Sequence, residues 1–426
     1  MLMLAIFIAL VAMICINVPI AVALAMSGVI GLLVTEGADS LVTIALDMYD
    51  GSTKFSLIAI PMFVLAGAIM NAGGITDRLI NFVSAIVGFV RGGLAMVNIG
   101  VSLFFAEISG SAVADVAAMG SILIPQMKKR GYSKELSAAV TSSSASLAII
   151  IPPSIPMILY AASANTSVEQ LFVAGVVPGL LGAAGLMLVA YIFARRYNLP
   201  TEEAFNMPRL RETFVDALPA FTLPVIILGG IFGGFVTATE GAGLAVIAAL
   251  AVSAWYRNLD LGHLRRAMLD GGMQTAVVML LVAASVLMGG FLTRAQIPQE
   301  LANGILSITD KQWAILLILN FFFLIIGFFL HSAAAIILVV PIVIPLITAA
   351  GIDPVHFGLV VTLNLAIGQQ TPPVASVLIT SCAVARANIW EVSKVNIWFV
   401  MVLLAVLMLC TYVPSVPLFL VEYFYR

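Results

Sequence analysis

Oxygen-bearing side chains interrupt this apolar chain in two matching sets. Ser109-Gly110-Ser111 is followed by Thr141-Ser142-Ser143-Ser144-Ala145-Ser146, which runs up to Pro152-Pro153. His331-Ser332 is followed by Asn364 through Thr371, which runs up to Pro372-Pro373. The two Pro-Pro pairs stand about 220 residues apart, and so do Ile124-Pro125 and Ile344-Pro345, and Gly131 and Gly351. Proline lacks the N–H a helix needs and clashes with the preceding turn, so each pair breaks a helix and frees carbonyls. Freed carbonyls and hydroxyls form an oxygen cage suited to a hard cation such as Na⁺. One serine in an apolar helix ordinarily bonds the carbonyl four residues back, or lets helices pack closely. Recurrence of the whole pattern shifts the balance toward a site. The expected cation ligands are Ser109, Ser111, Ser144, Ser146 and Pro152 in the first set, and Gly327, Ser332, Asn364, Gly368 and Thr371 in the second.

The elements that would carry these groups follow from composition. The chain is 62% hydrophobic and 9% charged over 426 residues, too little charge for a water-facing surface, which excludes a soluble domain. Net charge of −2 gives no sign of a nucleic-acid partner. Apolar stretches long enough to cross a bilayer occur at 2–33, 55–72, 136–163, 171–194, 217–236, 240–256, 272–293, 357–385 and 397–421. The first is too long for a signal peptide and lacks a basic start, so it is expected to be retained. Cys15, Cys382 and Cys410 fall in apolar runs without metal spacing and read as unpaired core residues.

Charge position sets the orientation. Lys128, Lys129, Arg130 and Lys134 crowd the loop after the first Ile-Pro, whereas its counterpart at 347–357 has no Lys or Arg. By the positive-inside rule the first loop is cytoplasmic and the second external, so the repeats are inverted. Arginines at 195, 196, 209 and 211, and at 257, 265 and 266, agree with this, and the acidic stretch 34–53 is expected to be an external loop. The count is nine crossings, with the N-terminus cytoplasmic and the C-terminus periplasmic.

Residues 94–108 and 112–127 flank the Ser-Gly-Ser tip. Each would be roughly 22 Å long as a helix, short of the ~30 Å hydrocarbon core. A re-entrant helical hairpin over 94–127 fits, with its copy over 312–346 entering from the other side. The expected fold is an all-α polytopic membrane protein with inverted repeats, two re-entrant hairpins and two broken helices. Scaffold helices would occupy 1–72 and 217–293, and interfacial arm helices 75–91 and 297–310. A mobile transport domain would comprise 94–194, with broken helix 136–163, and 312–421, with broken helix 357–385.

Several segments then resemble the large permease subunit of tripartite ATP-independent periplasmic (TRAP) transporters. They are NVPIAVALAMSGVIGLL (17–33), IPMFVLAGAIMNAGGITDRLINF (60–82), FAEISGSAVADVAAMGSILIPQMKKRGY (105–132), IIPPSIPMILYA (150–161), LFVAGVVPGLL (171–181), GGFVTATEGAG (233–243) and LNLAIGQQTPPVAS (363–376). The resemblance covers nearly the whole chain. It implies an elevator-type, Na⁺-driven importer of organic acids in the inner membrane. Its partners would be a small membrane subunit of four helices, expected as a separate chain, and a periplasmic substrate-binding protein. Substrate contacts are expected from Ser109, Ser154, His331 and Gln369, with sialic acid favoured and a C4-dicarboxylate next. His331 stands where the family usually has an acid, and Ala148-Ile149 where it often has Gly-Pro. His331 would be a hydrogen-bond donor, a proton site, a contact to an acidic substrate or a capped packing residue. Glu107 and Asp115 are costly in a membrane and expected to serve a purpose, or to pair or cap a helix; Glu240 reads as a helix cap.

Two other readings compete. One is a stand-alone Na⁺ or H⁺ carboxylate symporter of similar fold. The other is an intramembrane enzyme, which His331, His356 and His263 support poorly because no nucleophile or metal spacing accompanies them. No G-x-x-x-x-G-K-[ST] motif is present, so drive by ATP within this chain is not expected.

Overall fold

The computed structural model describes residues 2–16, 18–109, 111–202, 204–257 and 261–425, and every regular element among them is helical. The first part holds α1 (Leu2–Cys15), α2 (Ile20–Glu36), α3 (Ser40–Ser52) and α4 (Ala59–Ala72). The first repeat follows with α5 (Ile75–Val87), α6 (Gly93–Ser109), α7 (Ala112–Lys129), α8 (Lys134–Ala145), α9 (Ile155–Ala164) and α10 (Val168–Arg196). The middle holds α11 (Met207–Ala217), α12 (Thr222–Pro224), α13 (Gly230–Phe232), α14 (Ala238–Trp255) and the long α15 (Leu261–Arg294). The second repeat holds α16 (Ile297–Ile308), α17 (Gln312–Phe329), α18 (Ser332–Ala349), α19 (Pro354–Gly368), α20 (Ser376–Ala385) and α21 (Ile389–Tyr412), and α22 (Ser415–Tyr425) ends the chain.

The repeat extends to backbone conformation. Gly131 and Gly351 follow the second leg of each hairpin with φ of 88° and 67°. These are left-handed values that glycine adopts without a Cβ penalty. Asn165 and Arg386 end α9 and α20 with φ of 50° and 54°. Ser133 caps α8 by accepting from Leu136 N, and Asp353 caps α19 by accepting from Val355 N and His356 N. Both Pro-Pro peptides are cis.

Several expected spans differ from what is observed. Residues 2–33 form two short helices rather than one, because Pro19 cannot continue a helix and restricts Val18 to extended backbone. The acidic stretch 34–53 is not a loop: α3 occupies most of it. Residues 217–236 begin at a bend: α12, a π-helical stretch Val225–Gly229 and α13 continue at 53° to α11. Residues 397–421 are shared by α21 and α22, interrupted at Val413-Pro414. Seven described helices are long and apolar enough to cross a membrane, or eight if the bent pair counts as one span. Two of the seven, α17 and α18, are the legs of the second hairpin, which the count of nine left out as re-entrant; the pieces of each broken helix fall short, as do α1 and α2, whereas that count took each broken helix and residues 2–33 as one crossing.

Packing follows the rule that helices in lipid associate by close approach at small residues. A Cβ on Gly28 would lie 2.8 Å from Met288 N, and one on Gly31 would lie 2.6 Å from the Phe291 ring. Those two glycines therefore let α2 lie directly against α15. Arg294 closes the far end of this group by pairing with Glu36 at 2.7 Å and Asp47 at 3.1 Å. On α5, Arg78 reaches Asp216 at 3.2 Å and lies 3.8 Å above the Tyr256 ring, which ties α5 to the end of α11 and to the residue after α14. Glu240 acts as the cap its sequence suggests: its Oε2 accepts from Thr237 N while Thr237 Oγ1 accepts from Glu240 N.

Candidate functional site

Both hairpin tips and both helix breaks meet at one cavity of about 590 Å³. The first repeat lines it with Ser111 and Ala112 at the tip and with Ile149, Ile155 and Pro156 around the break. The second lines it with His331, Ser332 and Ala333 at the tip and Gln369 at the break. The opposite wall is α15, through Asp270, Met273, Gln274 and Val277, with Val64 of α4 beside it. A second cavity of about 390 Å³ shares Val64, Ala114, Asp270 and Gln274 and runs along α4 and α15 to Asn71 and Arg266. A third, of about 480 Å³, lies between Lys54, Asp47, Arg294 and Ser285 on one side and Ala162, Ile337 and Pro341 on the other.

Three helices begin at the main cavity: α7 at Ala112, α9 at Ile155 and α18 at Ser332. Their first N–H groups and partial positive ends favour an anionic guest. His331 caps α18, its Nδ1 accepting from Ala333 N at 3.4 Å, and its ring is exposed to the cavity. Gln369 is buried and its Oε1 accepts from Ser376 Oγ, which ties the break to α20. Ser154 is not on the cavity wall. Its hydroxyl donates to Ile149 O at 2.7 Å and accepts from Met157 N, so it bridges the first break.

Of the residues expected at the first cation site, Ser111 lines the cavity, whereas Ser144, Ser146 and Pro152 are buried behind its wall. Ser146 donates to Ser142 O four residues back, the ordinary role of a serine in an apolar helix. The side chains of Ser109 and Glu107, Gly110, and the side chains of Cys15 and His263 lie outside the described residues. At the second site, Thr371 likewise donates to Ile367 O at 3.0 Å, and Ser332 lines the cavity. Gly327 and Gly368 meet backbone to backbone: a Cβ on Gly368 would lie 2.5 Å from Gly327 C. Asp115 is buried in the first turn of α7, and His356 Nε2 lies 2.7 Å from Cys410 O. Cys382 and Cys410 are buried free thiols.

Two asparagines missed by the sequence reading organise the breaks. Asn98 on α6 donates to Thr141 Oγ1 at 2.7 Å and accepts from Ser144 Oγ at 3.1 Å. Asn320 on α17 accepts from Asn364 Nδ2 at 2.7 Å and donates to Thr411 Oγ1 at 3.1 Å. Each joins the first leg of a hairpin to the broken helix of its own repeat. Their spacing of about 220 residues in otherwise apolar legs was the available signal. The repeats are also tied to each other, because Ser143 Oγ lies 2.9 Å from Gln370 Oε1 and 2.7 Å from Asn396 Oδ1.

The donor set fits a hard cation. Ser142 Oγ and Asn364 Oδ1, one from each broken helix, are fully buried oxygens with no protein partner. Leaving a buried acceptor unmatched costs about 1–3 kcal/mol, so such atoms call for a partner, an ordered water or a cation. Among the described residues no group of three His, Cys, Asp or Glu side chains could hold a transition metal.

A family model, the tripartite ATP-independent periplasmic transporter DctM component, matches residues 7–416. The chain belongs to the DctM family of TRAP transporters. It is therefore a membrane component of a transporter and not an enzyme. The C4-dicarboxylate TRAP transporter large permease protein DctM of Pseudomonas aeruginosa is 40% identical over 93% of this chain and 92% of that protein. The sialic acid TRAP transporter large permease protein SiaM of Vibrio cholerae is 34% identical over 89% of each. The crystal structure of the Alcanivorax borkumensis YdaH transporter superposes with a TM-score of 0.65 at 14% identity, covering 89% of each chain, and so shares the fold.

Proposed function

We propose that this TRAP permease couples inward Na⁺ movement to uptake of an organic acid anion delivered by a periplasmic binding protein. A separate small membrane subunit would brace the scaffold. One observation carries the reading: the tips and breaks of two repeats converge on a single cavity whose far wall, α15 and α4, belongs to neither hairpin nor broken helix. A site enclosed this way can travel intact past a fixed wall, which avoids exposing bare backbone to lipid. Ser111, Ser142 and Ser144 would serve one cation, and Ser332, Asn364 and the Gly368 region the other. The carboxylate of the cargo would meet the starts of α7, α9 and α18, with His331 beside it. The names of the C4-dicarboxylate and sialic acid relatives support an organic acid as the cargo. A thermal-shift screen of the binding protein against such acids would choose between them.

In proteoliposomes holding this chain and its two partners, replacing external Na⁺ with choline is expected to abolish uptake. The Na⁺ dependence should have a Hill slope above one, because two breaks each supply oxygens. Uptake unchanged in choline would sink the coupling, and a slope of one would remove the second cation.

Opposed repeat orientation is tested separately. Lys129→Cys and Ala349→Cys place exposed thiols at the ends of α7 and α18, the second legs of the two hairpins. An impermeant maleimide should label the first only from the cytoplasmic side and the second only from the periplasmic side. Labelling of both from one side would show that the repeats are parallel.

A further inference from the structure

We propose that Asn320 is a positioning residue that fixes the Asn364 carboxamide so that its oxygen is presented as a cation ligand, and that Asn98 holds Ser144 in the corresponding way. The inference rests on the sodium reading above but concerns residues outside the ligand set. Asn364 is fully buried, and its Nδ2 donates twice, to Asn320 Oδ1 at 2.7 Å and to Val360 O at 2.8 Å. Both amide hydrogens are thereby used, and Oδ1 is left without a protein partner. The orientation is not interchangeable. Turning the carboxamide over would set its oxygen against the Val360 carbonyl, two acceptors with no proton between them. Asn320 is held in turn, because its own Nδ2 donates to Thr411 Oγ1 on α21. The chain of contacts Thr411, Asn320, Asn364 thus ends in a buried acceptor with no hydrogen-bond partner in the protein.

The first repeat gives an independent instance. Asn98 occupies the matching place on the first leg of its hairpin, and Ser144 matches Asn364 in the broken helix, each pair about 220 residues apart. The Ser144 proton is shared between Asn98 Oδ1 at 3.1 Å and Thr141 O at 3.2 Å, so the lone pairs of that hydroxyl remain free to face a cation. Asn98 Nδ2 is anchored on Thr141 Oγ1. The same amide thus performs the same task twice, on a serine in one repeat and on an asparagine in the other. General packing would not conserve a polar pair at one register while exchanging the side chain it serves.

The test is a double-mutant cycle on the full transporter with Asn320→Ala, Asn364→Ala and the pair, read as the Na⁺ concentration that gives half-maximal uptake. Na⁺-dependent thermal stabilisation of the purified complex provides a second readout. Removing a residue that orients a metal ligand typically weakens the metal by about 10–100-fold, and a shift of that size is expected for Asn320→Ala. In the Asn364→Ala background the same change should add nothing, because the oxygen it orients is gone. Thr411→Val, which removes only the outer anchor, should shift the Na⁺ requirement the same way by less. It also serves if Asn320→Ala does not fold. Additive effects, or an Asn320 variant with unchanged Na⁺ requirement beside a shifted Asn364 variant, would overturn the positioning role while leaving the sodium reading in place. A wild-type transporter indifferent to Na⁺ would remove both.

Discussion

Joining Lys54→Cys to Ala162→Cys with a short, reducible bis-thiol reagent stops uptake completely, and reduction restores it. That result is expected from where these residues stand. Lys54 lies just ahead of α4, in the part proposed to stay fixed, and its Nζ donates to Ala162 O at 2.7 Å. Ala162 lies in the last turn of α9, in the part proposed to move with the first broken helix. Two further contacts cross the same divide: Glu169 Oε1 accepts from Ala238 N at 3.1 Å, and Tyr425 OH donates to Ile231 O at 3.1 Å. Three hydrogen bonds of about 1 kcal/mol each are weak enough to exchange during a transport cycle. A covalent bond is not. The control is Gln312→Cys with Ala350→Cys. Gln312 Nε2 donates to Ala350 O at 3.0 Å within the second repeat, and joining these two should leave turnover intact. Normal uptake by the Lys54–Ala162 crosslinked protein would mean that the site is gated locally at the tips and does not travel.

Gly368→Ala should lower uptake by on the order of 100-fold, the cost usual for a displacement near 1 Å at a functional centre. In a helix this exchange ordinarily stabilises by up to about 1 kcal/mol. Here the added methyl would sit 2.5 Å from both the Cα and the carbonyl carbon of Gly327, and neither backbone atom can step aside as a flexible side chain would. The second hairpin and its broken helix must separate instead, which moves the first leg α17 away from the break that follows Gly368. Gly304→Ala on α16 is the matched control, because nothing lies within 4 Å of the new methyl there. It should be neutral or slightly stabilising. A Gly368→Ala protein that folds and transports normally would show that the close approach is incidental.

The hairpin turns and helix breaks were legible in the sequence because proline and glycine act locally and the repeat doubled each signal. Gly131 and Gly351 illustrate this: both turned out to need positive φ at the same place in each half. The failures have physical causes too. Apolar content marked 2–33 as one stretch, but the single Pro19 divides it. Negative charge in 34–53 concealed α3, whose apolar residues outnumber its acids. Ser146 was grouped with the cation ligands by residue type, whereas its hydroxyl donates to Ser142 O. Asp270 and Gln274 came to the cavity through the packing of α15, which no local pattern announced.

The bond from Ser143 to Asn396 spans 253 residues of chain, and its companion to Gln370 spans 227. At a synthesis rate of about 5–20 residues per second, α8 leaves the ribosome roughly 10–50 s before those partners exist. For that interval Ser143 has neither of them, and its hydroxyl can turn only to the carbonyls of its own helix. The contacts that join the two repeats therefore form only after the second has been inserted, and until then the first is held by its own helices alone. Chains cut short before Asn396 should be cleared by membrane proteases even when every earlier helix has been inserted.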